Sequence, residues 1–275
     1  MMESNILQSF LPNKWESLSV DAKAAICQAI LNYTSGTDKF TICFTNLGGQ
    51  IKGRCFPFFH EVEMDEGLIS NTDSVSASQV AKAVFYVCHE GCHVKQYNDL
   101  EEGALESKDI IFHNNVGIKD CNNNYIVGPK TEADIKLSLL YQLQPIEREA
   151  WDFANKRVSE FISTMNELFP EQFQVKWFSY FDFDETIEMA RMVFISDDPI
   201  HDIDNILLTM SGLFVDEPLN EIMCDVIRNT QSIDMVKRLD ANQTKNLQHA
   251  EEIHCKQSEA TLSDEEIEYL FHDRE

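Results

Sequence analysis

Val87-Cys88-His89-Glu90-Gly91-Cys92-His93 holds an H-E-x-x-H pattern, and its reading decides what the rest of the chain must supply. On a helix, histidines four apart stand one above the other on the same face. His89 and His93 can then give two nitrogens to one Zn²⁺. Glu90 lies about 100° round the axis from His89, near the open side of such an ion, where it can take a proton from bound water. Zinc makes that water a usable nucleophile near neutral pH. Short motifs also recur by chance, so this one needs a helix, a third ligand and room for substrate.

The helix is predicted to begin near Ser76 or Ser78 and to run to about Tyr97. Val80, Ala81, Val84, Val87 and Cys88 make its apolar side, while Lys82, Tyr86, His89, His93 and Gln96 fall on another. A satisfied surface pair is the plain alternative for the two histidines. Upstream, residues 15–33 read as a helix that Ser19 can cap. Residues 39–46 (KFTICFTN) alternate and read as a strand, with Gly48-Gly49 reversing the chain. Residues 51–63 predict a second strand that Pro57 demotes in part to an edge or bulge, and Leu68–Asn71 a short third. An edge strand beside a metal helix can hold an extended peptide by backbone hydrogen bonds.

Downstream, residues 98–130 are polar and loop-like, and His113 there reads more readily as a structural residue than as a ligand. A helical pattern resumes at Thr131. Pro145 breaks it and opens a long helix that ends near Phe169-Pro170. On this helix Glu147 shares a face with the small residues Ala150 and Ala154, which allow close approach of a second helix. A helix-dipole role in the first turn is the other reading of Glu147.

The combination resembles the gluzincin metallopeptidases, in which HExxH is followed after several tens of residues by a helical Glu in an E-x-x-A setting. More narrowly it is similar to small gluzincin-like proteins encoded by bacteria and their mobile elements. The segments that carry the likeness are Trp15 to Ser19, His89 to Gln96 (HExxH-x-x-Q) and Tyr141 to Ala150 (Y-x-x-Q-P-x-E-x-x-A), within about residues 15–165. The resemblance implies His89, His93 and Glu147 as zinc ligands, Glu90 as general base and acid, and peptide or protein substrates. It also implies a Tyr or His that steadies an oxyanion, for which Tyr141 stands first, before Tyr86 and His113. Glu149 is about 200° round the helix from Glu147 and cannot face the same ion.

Composition sets the outer limits. The chain has 275 residues, 43% of them hydrophobic, enough for a large core. The expected fold is α+β, a zincin-like domain over residues 1–168. In it a small mixed sheet packs on the HExxH helix and the Glu-bearing helix. An acidic, mainly helical region of unassigned role is expected over 169–275. A net charge of −25 argues against nucleic acid and anionic membranes as partners. Residues 181–275 hold 23 Asp+Glu against 7 Lys+Arg, which suits a solvated surface or a protein partner. Within it, the acids of residues 197–204 lack the spacing of a Ca²⁺ loop. Eight dispersed cysteines do not suggest a disulfide scaffold; Cys88 and Cys92 are expected to be reduced and to pack inward. With no secretory signal pattern in the first 20 residues and no apolar run of roughly 18, the cytoplasm is the expected compartment. The rival to a peptidase is a non-catalytic interaction or regulatory protein that keeps a zincin-like fold.

Overall fold

The structure is a computed structural model and describes residues 7–48, 51–70, 75–101, 139, 141–176, 182–194, 197–201 and 203–204. His113 and residues 205–275 of the region expected to be acidic and mainly helical lie outside them. The chain is α+β: the described residues include a three-stranded mixed sheet and five helices described from end to end. They fall in two compact units. One draws on Met1–Lys95 and Ala150–Tyr180, the other on Gln96–Glu149 and Phe181–Gln243. None of the described helices is long and apolar enough to cross a membrane.

The first unit opens with a 3₁₀ turn and a short helix α1 (Pro12–Ser17), then α2 (Val20–Ser35). The single helix expected over 15–33 is therefore interrupted. Leu18 takes an extended backbone (ψ 145°), which frees Ser19 to cap α2 by accepting from Ala22 N–H. Gly36 ends α2 in the left-handed region (φ 71°), where an L side chain is strained. Strand β1 (Thr41–Thr45) follows as expected. The predicted second strand is in fact two, β2 (Gly53–Phe56) and β3 (Glu61–Asp65). Pro57 lacks an amide for the ladder and starts a 3₁₀ turn, and His60 (φ 50°) completes the reversal. Residues 66–68 form another 3₁₀ turn, so no strand begins at Leu68.

The strand order is β1-β3-β2, with β1 parallel and β2 antiparallel to β3. On one face lie Ile42, Phe44, Val62, Met64, Gly53 and Cys55, by register. Gln28 of α2 closes the outer edge of β1: its amide donates to Phe40 O at 2.8 Å and accepts from Ile42 N at 2.7 Å. Lys23, fully buried, donates to Ile69 O at 3.0 Å and so ties α2 to the end of the 3₁₀ turn.

Helix α3 (Ala77–Glu101) contains the motif, and α4 (Pro145–Leu168) follows the proline as predicted. Val80, Ala81, Val84, Phe85, Val87 and Cys88 share one core with Ala154, Val158, Phe161, Ile162 and Met165. Burying each large apolar side chain stabilises by about 1.5–3 kcal/mol. Phe10 and Phe173 both meet Phe161 edge-on, at 5.2 and 5.7 Å between centroids. Gly91 lets α3 approach α2, because a methyl group there would collide with Thr34 Oγ1 and stand 3.1 Å from its Cβ. In the second unit Leu143, Ile146 and Ile203 are buried, and Arg148 holds Asp204 by two bonds of 3.0 and 3.1 Å. Helix α5 (Phe183–Phe194) is amphipathic and exposes Met192.

Candidate metal centre

His89 and His93 sit in the middle of α3, where the i, i+4 spacing stacks them. Their Nε2 atoms are 3.1 Å apart and their rings cross at 88°. Glu147 sits in the first turn of α4, where its N–H donates to Gln144 O at 3.1 Å. All three side chains are buried, Glu147 completely, and one ligand atom from each lies within 4.8 Å of the others. Among the described residues this is the one such group of His, Cys, Asp and Glu.

The donors fit a divalent ion. Ligands at about 2.0–2.2 Å from a tetrahedral centre stand roughly 3.3–3.5 Å from one another, close to the observed spacing of the two nitrogens. A buried carboxylate beside two imidazoles is a favourable setting for a cation. The group could therefore hold a metal ion. Neither Cys88 nor Cys92 belongs to it. Both cysteines are buried and outside any disulfide, as expected, and burial pushes the Cys88 thiol up.

Three further residues shape the centre. The Trp151 ring lies against the His89 imidazole, 4.1 Å between centroids, which limits how far that ring can turn. Trp151 also stacks on Phe85, so the wall behind His89 is continuous with the core. Glu90 is buried and faces the outer strand β2. A Cβ on Gly53 would stand 2.6 Å from its Cδ and 2.7 Å from its Cγ. Cys55, next on the same face of β2, has its thiol pushed well up, first by burial and then by the Glu90 charge. Glycine inside a strand is a sequence signal for close approach, and Gly53 carried it. Trp151 gave no such signal, because its contact with His89 spans 62 positions.

Tyr141 is half-buried in a helical segment that precedes α4, six residues from Glu147. Tyr86 lies on α3 with its ring edge-on to Phe85, and burial raises its phenol pKa. Glu149 is exposed and is not one of the metal-ligating group, as its helical offset from Glu147 requires. Comparison of the chain with protein-family models, with curated proteins and with solved structures finds no match, so the chemistry must be read from these donors and their geometry.

Proposed function

We propose that the protein is a zinc-dependent peptidase of zincin-like fold. The observation that carries this reading is the buried triad of two imidazoles and one carboxylate with Glu90 adjacent to it in sequence and facing an outer strand. An N, N, O donor set suits Zn²⁺ and leaves a fourth position open, the arrangement of a catalytic rather than a structural site. A bound Zn²⁺ supplies Lewis acidity to a water molecule and to a substrate carbonyl. Glu90 takes the proton from the attacking water and delivers it to the leaving amine. Gly53 leaves room for that carboxylate beside β2. An extended peptide aligned along β2 by main-chain hydrogen bonds presents its carbonyl to the same place. Tyr141 is the residue assigned to steady the oxyanion.

The test has two stages. Elemental mass spectrometry of the purified protein is expected to give one zinc per chain, and Glu147→Ala to lose it or hold it far more weakly. Glu90→Gln is expected to keep the zinc and to lower hydrolysis of a peptide library by about 10²–10⁴-fold, the range for a missing general base. A wild type that binds no zinc even after reconstitution would sink the reading. A zinc-loaded protein that cleaves nothing would favour the non-catalytic interaction protein.

A further inference from the structure

One side chain beside the triad fastens the two helices that carry it. Gln96 follows His93 by three residues and His89 by seven, so the three share one face of α3. It is 3% exposed. Its Nε2 donates to the Ile146 carbonyl at 3.0 Å and to Glu149 Oε2 at 2.9 Å. The Ile146 carbonyl belongs to the peptide unit that joins Ile146 to Glu147. The amide on the motif helix therefore grips the bond on which the third donor is mounted. Glu149, at the exposed rim, contributes a charge-assisted bond that fixes the direction of the amide.

We propose that Gln96 is a positioning residue of the metal centre. It sets Glu147 against the histidine pair and so tunes metal affinity without touching the ion. The need for it is physical. The leading N–H groups of a helix depend on partners outside it, here the Gln144 carbonyl, which accepts from Glu147 and Arg148. Pro145 at the start of α4 has no N–H at all. The register of this first turn against α3 is set by contacts between the two helices, of which the Gln96 bond to Ile146 O is one. The inference rests on the triad being a metal site and adds to it the residue that orders one ligand. Loss of such a supporting partner typically weakens metal binding 10–100-fold.

The experiment is a Zn²⁺ titration of metal-free full-length protein in competition with a chromogenic chelator. Wild type is compared with Gln96→Met, Glu147→Gln and the double variant, and thermal unfolding of each metal-free form is measured. Methionine keeps the length and apolar stem of Gln96 and removes the donor. Gln96→Met is expected to weaken zinc about 10–100-fold while the metal-free Tm changes little. In the Glu147→Gln background the same change is expected to have no further effect on affinity, because the carboxylate it positions is already gone. Equal affinity in wild type and Gln96→Met overturns the proposal. So does an equal loss in both backgrounds, which is the signature of a merely structural role. If Gln96→Met does not fold, Glu149→Gln at its exposed position replaces it, with a several-fold loss expected and unchanged affinity overturning the proposal. A wild type that binds no zinc fails at an earlier step: it removes the metal site itself and this inference with it.

Discussion

At the scale of single residues, the centre depends as much on an absent side chain as on the donors. Gly53 has no Cβ, and the Glu90 carboxylate occupies the space a Cβ would need. Alanine at 53 has to displace either the strand or the carboxylate. The far end of a Glu side chain yields more readily than a paired strand. On the proposed peptidase reading, Gly53→Ala is therefore expected to keep one zinc per chain and to lower peptide hydrolysis by about 10²-fold, the cost of a misplacement near 1 Å. The check is zinc content together with the cleavage rate of whichever peptide the wild type hydrolyses. A variant as active as the wild type would show that Glu90 does not need this place. The same scale shows what the sequence made legible. His89, Glu90 and His93 form a local pattern whose meaning follows from 3.6 residues per turn alone. Glu147 is 54 positions beyond His93, and no local rule couples the two; only its setting of small residues and the family likeness singled it out.

At the scale of elements, β3 buries acids that alternation alone would turn to solvent. Glu61, Glu63 and Asp65 alternate with Val62 and Met64, which reads as a half-exposed strand. In the structure all five are buried. Arg54 meets Glu63 at 3.5 Å, and Lys52 meets Asp65 at 3.3 Å. Glu61 Oε1 has no hydrogen-bond partner. Burial first, and then the Glu63 charge, push the Glu61 carboxyl up to about 7 from an ordinary 4.5. Burial raises Glu63 as well, and Arg54 draws it back. Across the strands, Thr41 and Phe56 pair with Glu61, and Cys43 and Arg54 pair with Glu63. The sign of the pH effect follows. Between about pH 4.5 and 7 the folded chain keeps a proton on Glu61 that the unfolded chain has released. The folded state then binds more protons, so this carboxyl lowers stability as pH rises through that window. Glu61→Gln is expected to flatten that fall and to raise the urea midpoint at pH 8. Parallel midpoint-against-pH curves for variant and wild type would refute it.

At the scale of the whole molecule, a metal bound by α3 and α4 links segments far apart in the chain, and ligand binding to the native state alone stabilises it. At free zinc one hundred times its Kd the gain is about 2.7 kcal/mol. For a chain of this size that is several degrees in Tm. Chelation is expected to lower Tm by that amount and added zinc to restore it, read by differential scanning calorimetry. A Tm indifferent to both would mean that the triad holds no zinc of consequence. By itself the sequence determined what local backbone geometry determines: the motif helix and the stacking of its histidines, the Ser19 cap, the strand at 41–45, and the restart of a helix at Pro145. Each depends on residues within a turn or two of one another. Only the tertiary structure decided that β1 runs parallel to β3 with β2 outside, that three acids on β3 are buried, and that Trp151 backs His89. It also decided that Gly53 makes way for Glu90 and that Gln96 grips the peptide of Glu147. Those are pairings between residues tens of positions apart, and the packing of the whole core selects them, not the periodicity of any one segment.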